Sequence, residues 1–303
     1  MNEPNRKSAL AGGISPFAGC FIDSGENQNN AKLVFVGLPD DSQSSFRGGS
    51  RNGPARIRQA YNGMCFNSTT EAGVDLAHQI ADLGDLPSQR SWEATAQTYR
   101  EFARALFYAG KIPFFAGGDH AVTVPVAEAL AALEKPVHVI QFDAHPDLYP
   151  EFERSRFSHA CTAARLLEMD HIASVTQIGI RTMNAPQARH AKCYSDRLHF
   201  CSARDLRDEL PPLPHISSSA PVYLTLDLDV FDPAFAPGVS HPVPGGLAPR
   251  QVLNFLQNAN WRLAGMDAVE VNPELDVNDQ TAILAARLLH EGMGCAIRHS
   301  KSE

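Results

Sequence analysis

The chain has no cysteine pair at disulfide or metal-knuckle spacing. Its six cysteines, Cys20, Cys65, Cys161, Cys193, Cys201 and Cys295, are scattered without a CxxC. A zinc ribbon is thereby excluded, and free thiols are expected. No apolar run approaches the roughly 18 residues that a membrane span needs. The opening stretch MNEPNRKSALAGGISPFAGC has no apolar core of the kind that directs export, so the cytosol is the expected compartment. Basic residues are in deficit, 26 against 34 acidic ones, for a formal net charge of −8. A nucleic-acid partner needs a basic stripe to release counterions and is not expected. A cationic small molecule suits an acidic surface better. Low-complexity tracts and internal repeats are absent as well.

What is present is 303 residues, 44% of them hydrophobic, enough for a sizeable core. The first thirty, ending in SGENQNN, are polar and read as an arm (1–30) with little structure of its own. No composition break divides 31–303, which reads as a single catalytic domain. Within it apolar runs alternate with amphipathic ones. LVFVGLP precedes RNGPARIRQAY (51–61), which carries a proline just inside a helix start. IADLGDL (80–86) precedes ATAQTYREFARALFYAG (94–110) and IPFFAGGDH (112–120). VHVIQF, SVTQIGI, LHFCSA, VYLTLDLD and AGMDAVEV continue the series, with helical segments before each of the first three and between the last two. Repeated β–α units with apolar strands predict an α/β fold, a three-layer α-β-α architecture with a mostly parallel central sheet. In such sheets ligands bind beyond the carboxyl ends of the strands.

Those ends carry the unusual residues. VHVIQF runs directly into Asp143-Ala-His145-Pro-Asp147. Charges at the tip of an apolar strand are costly unless compensated. Side chains two apart on a strand share a face, which predicts Asp143 and His145 facing one site, with Asp147 curling back after Pro146. In VYLTLDLDVFDP the same alternation puts Asp227 and Asp229 on one face. Two such carboxylates repel unless a cation lies between them. Asp232, beside a proline, reads as a turn residue. In Gly117-Gly118-Asp119-His120 the glycines permit a tight turn, His120 is a third candidate ligand, and Asp119 is a candidate for orienting an imidazole. Two histidines and four aspartates match the charge of two divalent ions. Oxygen-rich ligation with imidazole and no thiolate favours Mn²⁺.

Taken together, GGDH, DAHPD, DLDVFDPAFAPGVSHPVPGGL and VEVNPELD, in that order, resemble the ureohydrolases, the arginase and agmatinase family. The DAHPDLY…FSHA stretch and IRTMN are most similar to the branch with plant arginases and bacterial agmatinases. The resemblance implies two Mn²⁺ per chain, one held by His120, Asp143, Asp147 and Asp227. It implies that Asp143, His145, Asp227 and Asp229 hold the other. It further implies that water activated there attacks a guanidinium carbon and that Asp147 passes a proton to the leaving amine. Glu270 would bind the guanidinium, and His159 would shuttle protons or touch substrate. A small cationic guanidino substrate and a homotrimer or homohexamer follow from the same resemblance. One departure is Ala121, where the family usually has serine. The substrate's tail stays open at this point. Glu151 and Glu153 suit the ammonium of agmatine, while Arg154 and Arg156 suit the carboxylate of arginine or 4-guanidinobutyrate. Agmatine is slightly favoured. A formiminoglutamate hydrolase, releasing formamide, and a non-catalytic structural paralogue are the alternatives. The second would be expected to have lost a ligand, and none is lost. The RGGSRNGP loop (47–54) resembles a family loop near the active site, and one RGG in an acidic chain does not imply RNA.

Overall fold

A computed structural model describes residues 20–22, 30–62, 64–207 and 209–300. Eight strands form one sheet: β1 (Leu33–Leu38), β2 (Ile80–Asp85), β3 (Ile112–Gly117), β4 (Val137–Phe142), β5 (Ile172–Ile180), β6 (Leu198–Ser202), β7 (Pro221–Asp227) and β8 (Arg262–Val269). Their order is β2-β1-β3-β8-β7-β4-β5-β6, and every pairing is parallel. The expected mostly parallel sheet is thus wholly parallel among the described residues. The apolar strands β1 and β3 are buried along their whole length, whereas the edge strands β2 and β6 alternate or open to solvent. This is the burial that a sheet covered on both faces requires.

Among the described residues seven helices cover it: α1 (Gly53–Ala60), α2 (Trp92–Tyr108), α3 (Thr123–Ala129), α4 (Thr162–Leu167), α5 (Ala185–Ala191), α6 (Pro249–Gln257) and α7 (Gln280–Ser300). Alternate side chains of each strand feed two cores. Phe114, Ala116, Leu224 and Leu226 pack with α1, α6 and α7. Phe115, Tyr223, Val137 and Val139 pack with α2, α3 and α4. The result is the expected three layers. Helix α2 shows why its stretch folds as it does. Ser91 caps the N-terminus by accepting a hydrogen bond from the Ala94 N–H, and Trp92, Thr95, Tyr99, Ala103 and Phe107 form one buried stripe. Gly110, at φ 68°, ends it in the left-handed region.

Most of the expected arm lies outside the described residues. The piece that is described is tied down: Cys20 is buried, Phe21 bridges Ile80 in parallel, and the Ile22 N–H donates to the Ile80 carbonyl at 3.0 Å. All six cysteines are free.

Where the chain leaves the sheet sets up the site. Strand order runs outward to β2 on one side and to β6 on the other, so β3, β8, β7 and β4 stand side by side at the centre. The loops after these four diverge and leave a crevice. Gly118, just after β3, is wedged against the end of β1, where a Cβ would lie 1.9 Å from the Asp40 carbonyl oxygen. Its N–H donates to the Leu38 carbonyl at 2.9 Å, and its carbonyl accepts from the Glu270 N–H at 2.8 Å. The double glycine therefore knits the ends of three strands and brings His120 and Glu270 together.

Candidate functional site

The sequence-predicted residues converge at the carboxyl ends of these central strands. His120 follows β3, Asp143, His145 and Asp147 follow β4, Asp227 ends β7 with Asp229 just beyond, and Glu270 follows β8. The route to convergence differs from the expected one in two places. Strand β4 ends at Phe142, so Asp143 and His145 are brought together by a loop, in which the His145 N–H donates to Asp143 Oδ1 at 2.6 Å. Strand β7 ends at Asp227 and a 3-10 turn, Leu228–Val230, carries Asp229. There Asp227 Oδ1 accepts from the Asp229 N–H at 2.9 Å, and Asp229 Oδ1 accepts from the Ala144 N–H at 3.0 Å. Strand alternation did not create the shared face; tight turns with carboxylate caps did.

His120 Nδ1 lies 3.1 Å from Asp143 Oδ2, 3.1 Å from Asp147 Oδ2 and 3.4 Å from Asp227 Oδ2. His145 Nδ1 lies 2.8 Å from Asp229 Oδ2 and 3.6 Å from Asp143 Oδ1. Two ligand-type groups result, His120–Asp143–Asp147 and Asp143–His145–Asp229, with Asp143 common to both. Every member but His145 is buried. The electrostatics register a demand for positive charge. Burial opposes a charged His120, yet the carboxylates of Asp143, Asp147 and Asp227 hold its pKa well above the ordinary value. Burial opposes a charged His145 too, and Asp229 and Asp143 push it up to about 12. Asp147, buried beside Asp143, is pushed up to about 7, and burial with Asp229 and Asp143 raises Asp227 strongly.

The residues fit a metal on their own geometry. His120 Nδ1 is buried, has no hydrogen-bond partner and faces three carboxylate oxygens. A lone pair among anionic oxygens is a cation site in its chemistry. A buried relay that the sequence reading did not identify sets this tautomer. His120 Nε2 contacts Thr225 Oγ1 at 3.0 Å, and Thr225 Oγ1 lies 3.4 Å from Thr123 Oγ1. Asp267 accepts from Thr123 at 2.9 Å and from Tyr223 at 2.7 Å. With Nε2–H committed to Thr225, Nδ1 presents its lone pair to the site. The signal was available, since Asp267 is an acid in the middle of the apolar run AGMDAVEV. A second support went unread as well. Gln141 Nε2 donates to Asp143 Oδ2 at 2.7 Å, and Gln177 Nε2 donates to Gln141 Oε1 at 2.8 Å and to the Pro146 carbonyl at 2.7 Å.

Glu270 adopts φ 65° and Asp147 φ 49°, left-handed conformations that cost a non-glycine residue energy and recur where function demands them. Glu270 Oε1 accepts from the His120 N–H at 3.0 Å and from His159 Nδ1 at 2.8 Å, while Oε2 is buried without a partner. Burial opposes the charge on His159, but Glu270 draws its pKa up to about 9. His159 Nε2 faces the Ser45 N–H at 3.2 Å and Ser45 Oγ at 2.8 Å, so both ring nitrogens are engaged. Asp119 does not orient an imidazole as expected. Its carboxylate accepts from the backbone N–H groups of Ala121 and Gln43 and so holds the 42–45 loop against the site. Ala121 sits in the apolar core, away from any ligand role.

A cavity of about 240 Å³ opens over the centre, with Tyr149, Phe152, Thr182, Asn184 and Gln187 along its outer wall. None of Glu151, Glu153, Arg154 and Arg156 lines it. Arg156 pairs with Glu168 at 3.0 Å, and Glu153 lines an adjoining groove that shares Ser45 and Phe152 with the cavity. His241, quoted in the motif APGVSHPVPGG but given no role, lines the cavity beside His145 and His159. In the RGGSRNGP loop, Asn272 Nδ2 donates to the carbonyls of Arg47 and Gly48 at 3.2 and 3.0 Å, tying the loop to the site.

Residues 31–294 match the arginase family. The chain is 36% identical over 276 residues to the mitochondrial arginase of Medicago truncatula, covering 86% of this chain and 81% of that one. It is 32% identical over 285 residues to the agmatinase of Bacillus anthracis, covering 89% and 94%. Among solved structures, the agmatine ureohydrolase of Thermoplasma volcanium superposes with a TM-score of 0.78 at 31% identity, covering 92% of this chain and 94% of that one. Among the described residues no helix is long and apolar enough to cross a membrane.

Proposed function

Because the chain belongs to the arginase family, whose members are hydrolases acting on guanidino compounds, we propose that it is a dinuclear manganese ureohydrolase converting a guanidino compound and water to urea and an amine. The observation that carries this reading is the pair of ligand groups sharing Asp143, with the unpartnered Nδ1 of His120 facing three carboxylates. His120, Asp143, Asp147 and Asp227 would hold one ion, and Asp143, His145, Asp227 and Asp229 the other. When bound, the two ions would supply the positive charge that ionises water near neutral pH. Glu270 receives the guanidinium on Oε2, the oxygen that its contacts to His120 and His159 leave free. A charge-assisted hydrogen bond to that oxygen orients the carbon toward the carboxylate cluster. His159 fixes Glu270 from behind, donating from Nδ1 while Nε2 accepts from the Ser45 N–H. Asp147, which lines the cavity, carries a proton to the departing amine nitrogen as the C–N bond breaks.

Agmatine is the favoured substrate. Of the four charged residues that the sequence offers for the tail, Glu153 is the one lining the groove at the cavity's lip, and Glu93 lines it too. A homotrimer or homohexamer is proposed from the family resemblance, and light scattering after gel filtration tests it. The deciding experiment is urea release by manganese-loaded protein with agmatine, arginine and 4-guanidinobutyrate at equal concentration. Agmatine is expected to be fastest. Absence of urea from all three, with two ions bound per chain, overturns the reading.

A further inference from the structure

We infer that His241 is a catalytic residue of this site, accepting a hydrogen bond from the guanidinium edge that Glu270 does not cover; the inference rests on the guanidine-hydrolysing reading above. Three imidazoles face the cavity. His145 directs Nδ1 to Asp229, and His159 spends one nitrogen on Glu270 and the other on Ser45. His241 stands between them, its ring centroid 5.0 Å from that of His159 and 5.9 Å from that of His145. Among the described residues its ring nitrogens have no hydrogen-bond partner; its neighbours are rings, including Phe46 at 5.4 Å.

A guanidinium offers only donors, arranged around a plane, and one carboxylate covers one edge of it. The cavity answers with two unengaged acceptors on its wall, Glu270 Oε2 and the imidazole of His241. A polar group left unpartnered beside a binding cavity is paired when the ligand arrives, and the loss of such a pair is felt in binding.

His241 is also held in place, as a substrate contact must be. On one side of it, Val239 bridges Val271, and Ser240 Oγ donates to the Arg47 carbonyl at 2.7 Å. On the other, Arg181 donates to the Val243 carbonyl at 2.7 Å while also bonding the carbonyls of Asp229 and Val230. The loop bearing His241 is thus pinned to the turn that presents Asp229 and to the loop beyond Glu270.

A purely structural role, packing Phe46 and the 42–49 loop, predicts something different, and two variants separate the roles. His241→Phe keeps a ring and the packing but offers no acceptor, while His241→Gln keeps an acceptor with less packing. Agmatine binding is measured by calorimetry on metal-free protein, where no hydrolysis is expected, and urea release is measured alongside on manganese-loaded protein. In His241→Phe the affinity and kcat/KM are expected to fall about tenfold or more with metal content unchanged, and His241→Gln is expected to recover a large part of the loss. His241→Phe binding agmatine within twofold of wild type overturns the inference, as does His241→Gln failing at least as badly as His241→Phe. Binding is read without turnover. Wild-type protein that binds agmatine but releases no urea would therefore fail the proposed reaction, while the comparison of variants still decides the role of His241.

Discussion

The Gln177–Gln141–Asp143 chain allows a quantitative test of how the site is held. In Gln141→Leu a fully buried amide becomes an apolar side chain of similar volume, and Asp143 loses the donor 2.7 Å from its Oδ2. Gln177 keeps its bond to the Pro146 carbonyl, so no donor there is wholly abandoned. Each lost bond is worth about 1 kcal/mol, and added apolar burial offsets part of it. Global stability is expected to fall by only about 1–2 kcal/mol. The local consequence is larger. Asp143 is common to both ligand groups, and freeing its carboxylate to rotate loosens both at once. Removing such an outer partner typically costs roughly 10–100-fold in metal affinity. The assay is manganese content by elemental analysis after dialysis against a graded series of free Mn²⁺, with urea release followed across the same series. Restoration of activity at high Mn²⁺ is the expected signature. A Gln141→Leu protein that retains manganese and activity at the lowest concentration, like wild type, refutes the argument that Asp143 is held from outside the site.

Three further outcomes are expected. Glu270→Gln removes the charge facing the guanidinium, and since charge-assisted bonds are worth about 1.5–3 kcal/mol, kcat/KM is expected to drop roughly 10–150-fold with metal content intact, read by urea release and elemental analysis. Gly118→Ala places a methyl 1.9 Å from a backbone carbonyl oxygen, so a loss of about 3 kcal/mol or more, or failure to fold, is expected in denaturant titration. His290 is fully buried beside Tyr61, and burial with the nearby Arg287 lowers its pKa to about 4, against about 6.5 in an unfolded chain. Between those values the unfolded chain binds a proton that the folded one refuses. Stability therefore falls as pH drops below about 6.5, by roughly 2 kcal/mol at pH 5 from this group. His290→Gln is expected to flatten that part of the stability profile, and an unchanged slope in denaturant melts from pH 7 to pH 5 would count against it.

The sheet was legible because its chemistry is local. Runs such as LVFVGL and IPFFAG carry no polar side chain, which only a strand covered on both faces tolerates, and helical stretches between such runs require parallel crossovers. The candidate centre was legible because carboxylates and histidines at the tips of apolar strands are costly without a partner, and four such tips in one chain point to a shared one. The local geometry behind that convergence was not legible. Asp229 arrives on a 3-10 turn and His145 on a loop, and both are aimed by carboxylate-to-backbone hydrogen bonds that depend on strand ends meeting in space. The supports were equally hidden. Nothing in the order of residues says that Asp267 on β8 meets Tyr223 on β7, or that Thr225 on β7 reaches His120 after β3, because these contacts follow the strand order β3-β8-β7, not the order of the chain. The same holds for the charges flanking the substrate's tail. Glu151, Glu153, Arg154 and Arg156 lie within six residues of one another, and only the fold decides that Arg156 turns away to Glu168 and that none of them lines the cavity. Residue type determined what chemistry this protein can hold, since burial cost and charge belong to each side chain. Tertiary structure decided which of those side chains meet, because contact across a sheet depends on crossovers that bring distant segments side by side.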